Sequence, residues 1–256
     1  MNDWNPETYA RFRGLRLRPA LDLLAQVGAL PDGPVVDLGC GNGAVAEALA
    51  TRWPDHERIG IDTSPSMLAK AADTGCYHRL EEADAALWTP DPAPALIFSN
   101  AALQWLDGHE RLLPRLAGLL APGGWLAVQM PRQYDAPSHR LLRDLAEARH
   151  PDLFAFHGWK APVWPPDAYW HLLAPLGKVN IWETDYLQHL DPTETGHPVR
   201  RFTESTAMRP FVETMSAEDA DAFVAAYDAA LAEVYPLAPD GSVLFPFRRL
   251  FITLEV

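Results

Sequence analysis

A glycine-rich segment at residues 35–43 carries the strongest chemical signal in the sequence. It reads Val-Val-Asp-Leu-Gly-Cys-Gly-Asn-Gly and leads from an apolar run into a helical pattern. Gly39 and Gly41 permit a tight turn and a close backbone approach by a ligand at the helix N-terminus. Together with Ala44, the same glycines satisfy a dinucleotide-binding fingerprint. The segment alone therefore predicts a nucleotide-like ligand and leaves its class open.

Three carboxylates narrow the class of ligand. Asp37 comes two residues before the first glycine, Asp62 ends a second apolar run, and Asp84 follows a third. Asp37 would repel a diphosphate but attract an ammonium or sulfonium group. Asp62 is placed for ribose hydroxyls, and Asp84 for the exocyclic amine of adenine. These acids suit S-adenosylmethionine better than NAD. Alternatively, the glycine-rich segment is a surface loop without a ligand, and the three acids only cap helices.

Hydrophobic periodicity supplies the elements that must position these residues. Short apolar runs alternate with helical patterns, which predicts βαβ units, a parallel sheet and an α/β fold. Strands are predicted at residues 35–38, 59–62, 76–80, 95–99, 125–130, 179–190 and 250–255. Helices are predicted at residues 19–27, 44–53, 65–68, 107–120, 141–149, 169–176 and 217–234. The two late strands, separated by helical sequence, indicate an antiparallel edge of the sheet.

Length and composition indicate an enzyme-sized chain with one domain. Its 256 residues are 48% hydrophobic and 21% charged, which is too apolar for a disordered chain. A formal net charge of -13 argues against a nucleic-acid partner and against binding to an anionic membrane surface. Residues 1–6 lack the pattern of a signal peptide, and Cys40 and Cys76 are predicted to be free thiols. A cytoplasmic location is expected.

No pattern typical of nucleophilic or metal catalysis is present in the sequence. It has no Ser-His-Asp or Cys-His arrangement, and its nine histidines lack metal-ligand spacing, so no metal site is predicted. Arg209 lies among apolar residues and Arg249 precedes an apolar strand, so each is either a carboxylate ligand or an ordinary surface charge. His109, four residues after Trp105, either lies over the site or begins a helix without a chemical role.

Motifs along nearly the whole chain are shared with one known family. They are Asp3-Trp4-Asn5-Pro6 with Tyr9 and Phe12, Arg16-x-Arg18-Pro19, Asp-Leu-Gly-Cys-Gly at 37–41, Gly-Ile-Asp-Thr-Ser-Pro-Ser-Met at 60–67, Ala83-Asp84, Ser99-Asn100-Ala101-x-Leu103-Gln104-Trp105-Leu106, Val128-Gln129-Met130-Pro131, Met208-Arg209-Pro210-Phe211, Tyr235-Pro236-Leu237 and Arg249-Leu250-Phe251-Ile252. On these residues the chain resembles the trans-aconitate 2-methyltransferase family of class I S-adenosylmethionine-dependent methyltransferases. Residues 131–200 match the family poorly.

The resemblance implies a Rossmann-like, seven-stranded, mostly parallel sheet with an antiparallel edge strand and a helical cover subdomain. It implies one methyltransferase domain over residues 1–256. Within that domain it implies a cofactor-covering segment at 1–30, a cofactor-binding core at 31–130 and substrate-covering insertions at 131–175 and 191–242. The implied reaction is methylation of a carboxylate on a small polycarboxylic acid, with trans-aconitate as the leading candidate. A carboxylate is already ionised at neutral pH, so its positioning can replace a general base.

The resemblance also assigns roles to single residues. The implied cofactor-binding residues are Arg16, Asp37, Gly39, Gly41, Asp62, Met67, Asp84, Asn100 and Ala101. Of these, Arg16 is expected to pair with the cofactor carboxylate, and Asn100 and Ala101 to lie beneath the sulfonium. The implied substrate-positioning residues are Gln104, Trp105, Arg209 and Arg249.

Three positions depart from the family pattern. Asn42 replaces a usual proline, Ala207 a usual glycine, and Gln133-Tyr134 a usual Asn-Trp pair. The last two departures lie near the expected acceptor pocket, so the identity of the acid stays open. Alternative acceptors are a carrier-bound malonyl ester and a small amine. Alternative functions are a nicotinamide-dependent oxidoreductase and a non-catalytic cofactor-binding module, and the oligomeric state is not indicated.

Overall fold

A computed structural model describes residues 13–256, with side chains from residue 17 onward. Its α-helices are α1 (Arg13–Leu24), α2 (Ala46–Arg52), α3 (Pro65–Ala72), α4 (His109–Ala117), α5 (Pro137–Arg149), α6 (Pro166–Leu173), α7 (Pro198–Thr203), α8 (Arg209–Val212) and α9 (Ala217–Val234). Its strands are β1 (Val35–Leu38), β2 (Arg58–Asp62), β3 (Arg79–Glu82), β4 (Leu96–Asn100), β5 (Trp125–Pro131), β6 (Lys178–Leu190) and β7 (Val243–Glu255). Within residues 13–256, two single-turn 3-10 helices are present, at Leu103–Trp105 and Ala174–Leu176.

Seven strands of the described residues form one sheet in the order β3-β2-β1-β4-β5-β7-β6. Strands β1 to β5 pair in parallel, whereas β7 runs antiparallel to β5. The predicted fold class is therefore confirmed. Because the strand order reverses between β1 and β4, the carboxyl ends of these two strands form the switch point where open α/β sheets bind ligands.

The chain divides into two compact units. Among the described residues, unit 1 comprises 13–131, Pro162–Thr184 and Arg249–Val256, and unit 2 comprises Arg132–Ala161 and Asp185–Arg248. Unit 1 contains the five parallel strands β1 to β5. In unit 2, α9 packs against α5, α7 and α8.

Two helices show how local sequence sets an element boundary. Helix α3 begins after Ser64, whose side chain accepts from the N–H of Met67, with Pro65 in the first turn as predicted. Helix α9 spans Ala217–Val234, which matches the predicted range, and Ser216 caps it through the N–H of Asp219. A capping side chain satisfies one of the backbone donors that the first turn leaves without a partner.

The predicted start of α1 is wrong. Pro19 was expected to open this helix, but the helix begins at Arg13 and contains Pro19 in its interior. An interior proline removes one N–H from the helical hydrogen-bond ladder. The buried side chains of Ala20, Leu23 and Leu24 stabilise the helical segment despite that loss. Tertiary packing therefore outweighs the positional preference of proline here.

The third and last strands also differ from their predicted ranges. Strand β3 is Arg79–Glu82 rather than 76–80, because an edge strand that is half exposed needs no apolar run. Strand β7 begins at Val243 rather than Leu250. Its first half alternates between buried and exposed residues and includes Pro246, a residue that usually argues against a strand.

Candidate functional site

The glycine loop, residues 39–43, connects β1 to α2 at the switch point. Gly39, Gly41 and Gly43 have φ angles of 76°, 54° and 75°, a region that strongly favours glycine. The N–H groups of Gly39 and Cys40 donate to the carbonyl oxygen of Ile61 at 2.8 and 2.9 Å. The loop is therefore bound to the end of β2 by its own backbone.

The two predicted glycines of this loop have different surroundings. A Cβ atom on Gly39 would clash with the Cβ of Ala102, which follows β4. A Cβ on Gly41 would have no atom of the described residues within 4 Å. Gly39 is therefore required by the packing of the two loops, while Gly41 leaves its backbone open to a ligand.

Asp62 holds the loops after β1 and β2 together. Its Oδ2 accepts from the N–H of Gly41 and its Oδ1 from the N–H of Ser64, each at 2.9 Å. Each carboxylate oxygen has two acceptor sites, so both oxygens retain capacity for a further donor such as a ribose hydroxyl. Asp62 therefore positions the glycine loop and can bind a ligand at the same time.

Asp37 is a buried carboxylate on the central strand β1. It is 2% exposed, and its Oδ2 accepts a 2.6 Å hydrogen bond from the hydroxyl of Tyr77. Burial raises the pKa of Asp37 to about 7; the hydrogen bond from Tyr77 acts in the opposite direction, and the nearby charge of Asp62 adds to the increase. A cation bound beside Asp37 would favour its charged form.

The turn after β4 is strained and rich in amides. Ala101 has a φ of 54°, which is uncommon for a residue with a side chain. Its N–H donates to the carbonyl oxygen of Gln129 at 2.8 Å, and its carbonyl oxygen accepts from Nε2 of Gln104 at 2.6 Å. These two bonds hold the strained turn in place, and a strained turn held this way is common at ligand sites.

Three amide side chains near this turn, two buried and one half-buried, have buried polar atoms without a partner among the described residues. They are the side chains of Asn100, Gln104 and Gln129, named here the amide cluster. The Oδ1 of Asn100, the Oε1 of Gln104 and both amide atoms of Gln129 lack a hydrogen bond within that part of the chain. Leaving such a group buried without a partner costs about 1–3 kcal/mol. A polar ligand that supplies the missing partners would recover this energy.

His109 forms a hydrogen-bonded chain behind the Leu103–Trp105 turn. Its Nε2 lies 2.9 Å from the carbonyl oxygen of Leu103, and its Nδ1 lies 2.6 Å from the hydroxyl of Tyr169. Because a carbonyl oxygen only accepts, Nε2 donates and Nδ1 accepts from Tyr169. His109 is buried and is the first residue of α4, so the predicted helix start is confirmed. It supports the turn that carries Gln104 and Trp105.

The remaining predicted cofactor residues lie at the ends of β2 and β3. Met67 is half-buried in the first turn of α3. Asp84 comes two residues after β3 and is exposed, and its Oδ1 accepts from the N–H of Ala86 at 2.8 Å. The predicted role of Arg16 lies outside the side chains that the structure describes.

The two predicted carboxylate ligands lie in different units. Arg249 belongs to unit 1, is 6% exposed, and pairs in register with Pro131 at the end of β5. Arg209 belongs to unit 2, where its Nε donates to Oε1 of Glu213 at 2.7 Å. A buried guanidinium in the middle of β7, opposite the end of β5, is well suited to an anionic ligand. Arg209 is about one-third exposed and already has an acidic partner within its own unit.

Among residues 13–256, no helix is long and apolar enough to cross a membrane. In the same residues, no group of three or more His, Cys, Asp or Glu side chains is arranged to hold a metal ion. Cys40 and Cys76 are free thiols.

Two residues of the site were missed by the sequence analysis. Tyr77 reaches Asp37 from 40 residues away, and no short motif links the two positions. Gln129 appears in a family motif but has no assigned role there, and its unpartnered amide becomes visible only once β5 is placed beside β4. By contrast, Gln133, a departure from the family pattern, is fully paired: it donates to Pro246 O and accepts from the N–H of Arg248.

Comparison with known proteins identifies the relatives of the chain. A methyltransferase-domain family model matches residues 9–190. The trans-aconitate 2-methyltransferase of Acidovorax ebreus is 43% identical, over 100% of this chain and 99% of the relative. The enzyme of the same name from Methylobacterium nodulans is 45% identical over 98% of each chain, and that from Streptomyces avermitilis is 46% identical over 97% and 95%.

Solved structures share the fold at much lower identity. The YcgJ protein from Bacillus subtilis has a TM-score of 0.57 at 15% identity and covers 92% of this chain and 97% of its own. Phosphoethanolamine N-methyltransferase 2 from Haemonchus contortus, in complex with S-adenosyl-L-methionine, has a TM-score of 0.53 at 17% identity, with 93% and 52% of the chains covered. These two structures support the fold alone.

Proposed function

The chain belongs to the trans-aconitate 2-methyltransferase family, and on that basis we propose that it methylates one carboxylate of a small polycarboxylic acid, trans-aconitate first. The observation that carries the proposal is an arrangement of opposite charges on one sheet face of unit 1. Asp37 pairs with Phe98, Phe98 with Ala127 and Ala127 with Thr253, four residues from Arg249. Register partners lie on the same face of a sheet, and so do residues an even number apart along a strand. Asp37, proposed for the cationic cofactor, and Arg249, proposed for the anionic acceptor, therefore lie on one face.

The residues of unit 1 fit S-adenosylmethionine as the cofactor. When bound, it supplies a methyl group on a positively charged sulfur. The buried carboxylate of Asp37 is suited to the cofactor's ammonium group, and the open backbone of Gly41 allows close approach. Asp62 has acceptor capacity for ribose hydroxyls, and the unpartnered Oδ1 of Asn100, within the described residues, adds negative polarity at the end of β4. Asp84 and Met67 are proposed for the adenosine end.

The acceptor needs positioning rather than activation. Its carboxylate is ionised at neutral pH and is already a nucleophile, so the chain needs no general base for it. Arg249 attracts and orients the acid by charge-assisted hydrogen bonds. Gln104 and Trp105 follow Asn100 in the turn after β4, where an amide can orient the acid and an aromatic ring can exclude water.

Mass spectrometry of reaction products tests the proposal directly. The full chain is incubated with S-adenosylmethionine carrying a labelled methyl group and with a panel of tri-, di- and monocarboxylic acids. A labelled monomethyl ester of trans-aconitate is the expected product. A labelled carrier-bound malonyl ester or a labelled amine, with no ester of a free acid, would assign a different acceptor. Binding of NADH without binding of S-adenosylhomocysteine would contradict the cofactor.

Arg249 and its neighbour Arg248 provide a matched pair of variants. Arg249→Ala is expected to lower kcat/KM for the acid about a hundredfold, with the Kd of S-adenosylhomocysteine unchanged. Arg248→Ala is the control, because Arg248 is exposed and forms a surface ion pair with Asp185 at 2.8 Å. Equal kinetics for Arg249→Ala and wild type would remove Arg249 from the acceptor site.

The remaining assignments stay predictions. They are a carboxylate-binding role for Arg209, a cofactor contact for Arg16, and covering roles for residues 1–30, 131–175 and 191–242. A cytoplasmic location is also proposed, supported by the free thiols of Cys40 and Cys76.

A further inference from the structure

Gln129 is a buried polar residue that the proposed reaction has not yet used. It lies on β5, in unit 1, and is 0% exposed. Its backbone carbonyl oxygen accepts from Ala101, but both atoms of its side-chain amide lack a partner among residues 13–256. A glutamine that served only packing would be replaced by methionine or leucine without loss, since either would bury the same volume without an unpaired amide.

Strand register places Gln129 between cofactor and acceptor residues. It pairs with Asn100 on one side and with Phe251 on the other. Two residues farther along β5, Pro131 pairs with Arg249. Because register partners and alternate residues share a face, the side chains of Asn100, Gln129 and Arg249 lie on one face of the sheet. The side-chain amide of Gln129 is therefore a diagonal neighbour of the buried guanidinium of Arg249 on the adjacent strand.

The apolar side of this position is closed by aromatic packing. The ring of Phe251, the partner of Gln129 on β7, stacks on Trp182 with centroids 4.8 Å apart and planes 6° from parallel. The rings of Phe251 and Trp182 offer no strong hydrogen-bond acceptor to the side-chain amide of Gln129. The ligand that satisfies Gln129 must therefore bring its own acceptor, and near Arg249 an anionic acceptor is favoured.

We propose that Gln129 is a specificity-determining residue whose Nε2 donates a hydrogen bond to a carboxylate of the acceptor other than the one that is methylated. This inference rests on the proposed function and deepens it. The reacting oxygen must keep a lone pair directed at the methyl carbon, and a donated hydrogen bond would lower its nucleophilicity. The second carboxylate has no such constraint. Gln129 and Arg249 thus select acids with two or more carboxylates, after the side chains that cover Gln129 move aside.

Gln129→Met and Gln188→Met test the inference as a matched pair. Gln188 is 2% exposed and also has both amide atoms unpartnered within the described residues, but it lies on β6 in unit 2. Calorimetry measures binding of trans-aconitate to the protein saturated with S-adenosylhomocysteine. Gln129→Met is expected to weaken that binding at least tenfold, as expected for a lost hydrogen bond to a charged group. Gln188→Met is expected to leave it unchanged.

A substrate series and a stability measurement separate specificity from structure. With Gln129→Met, KM should rise at least tenfold for trans-aconitate and fumarate but less than twofold for crotonate, which has one carboxylate. Gln129→Glu should weaken trans-aconitate binding further through charge repulsion. The Tm of Gln129→Met should equal or exceed that of wild type, because no native hydrogen bond is removed.

The outcomes distinguish this inference from the function on which it rests. Unchanged trans-aconitate binding in Gln129→Met, or an equal loss with crotonate, overturns the inference while methyl-ester formation by wild type still supports the function. A lowered Tm together with lost S-adenosylhomocysteine binding assigns Gln129 a structural role and also overturns it. Wild-type protein that binds trans-aconitate through Gln129 but forms no ester overturns the function alone. Absence of trans-aconitate binding by wild type overturns both.

Discussion

The hydroxyl of Tyr77 donates a 2.6 Å hydrogen bond to Oδ2 of Asp37, joining the chain before β3 to the central strand. Burial raises the pKa of Asp37 to about 7, while this hydrogen bond counteracts the increase. Tyr77 therefore helps to keep Asp37 charged near neutral pH. Because a charged Asp37 is what a cofactor ammonium group needs, we expect Tyr77, a residue outside the predicted motifs, to influence cofactor affinity.

Cofactor binding is expected to weaken as the pH falls below 7. Protonation removes the charge of Asp37, and the ammonium group of S-adenosylhomocysteine then loses its partner. The groups that face Asp37 are Tyr77, Asp62 and Cys40. Calorimetric Kd values for S-adenosylhomocysteine from pH 5.5 to 8.5 should rise up to about tenfold per pH unit below the midpoint. Binding at low pH should also release protons, which calorimetry in two buffers detects.

Tyr77→Phe should move the midpoint of that profile to higher pH. The variant keeps the ring but removes the hydrogen bond that lowers the pKa of Asp37. Asp37→Asn is the control, for which weak binding should be independent of pH across the same range. A Tyr77→Phe profile that overlays that of wild type would show that the hydroxyl does not influence the charge of Asp37.

Gly41→Ala and Gly75→Ala separate a ligand contact from backbone strain. Both glycines have positive φ, 54° and 64°, and an added Cβ would meet no described atom within 4 Å at either position. Each variant should lower the free energy of unfolding by about 1–2 kcal/mol, measured in urea. Only Gly41→Ala should weaken S-adenosylhomocysteine binding, by about tenfold or more, because its methyl group occupies the space above the glycine loop. Equal affinities would argue against a cofactor at Gly41.

Buried, central elements of the fold could be predicted from the sequence, and edges could not. Strand β1 was predicted at residues 35–38 because helices on both faces require the continuous apolar run that Val35, Val36 and Leu38 supply. Strand β3 reads Arg-Leu-Glu-Glu at the edge of the sheet, where half-exposed residues need not be apolar. Hydrophobic periodicity reflects which residues are buried, so it gives no clear signal for β3, in which no residue is fully buried.

The candidate site divides in the same way. Gly39 and Gly41 belong to one contiguous motif and Asp62 ends the next apolar run, so local patterns predict the positions of all three. Gln129 and Tyr77 act through contacts between residues distant in sequence, such as the pairing of Gln129 with Asn100. Those contacts depend on which strands are neighbours and in which register, and no local pattern specifies that.

His109→Phe should loosen the turn that carries Gln104 and Trp105. The change removes the donor to Leu103 O and leaves the Tyr169 hydroxyl without its acceptor. Urea unfolding should show a loss of about 1–3 kcal/mol, and KM for the acid should rise while the Kd of S-adenosylhomocysteine changes less than twofold. His109→Gln, which can still donate to Leu103, should recover part of both effects. A loss of stability without any change in KM would limit His109 to a structural role.

His139 and Asp37 should give opposite pH dependences of stability in the absence of cofactor. In unit 2, burial and the nearby charge of Arg143 lower the pKa of His139 to about 4. As the pH falls from 6.5 toward 4, His139 takes up a proton in the unfolded chain but not in the folded chain. This difference lowers the free energy of unfolding over that interval. The loss reaches about 3 kcal/mol. Asp37 is protonated more readily in the folded chain than in the unfolded chain. Its buried charge therefore lowers the free energy of unfolding by at most about 4 kcal/mol above pH 7, and this destabilisation decreases as the pH falls below 7.

Urea unfolding of His139→Phe, Asp37→Asn and wild type at pH 5 to 8 measures the two contributions separately. Relative to wild type, His139→Phe should become more stable as the pH falls below 6.5, because its aromatic packing against Tyr134 and Phe247 is retained without a group that must be protonated on unfolding. Asp37→Asn should be more stable than wild type above pH 7, because it has no buried charge, and this difference should decrease as the pH falls. Hydrogen exchange should place the first effect in unit 2 and the second in unit 1. If the stability differences from wild type changed with pH in the same direction for both variants, the pKa assigned to at least one of the two residues would be wrong.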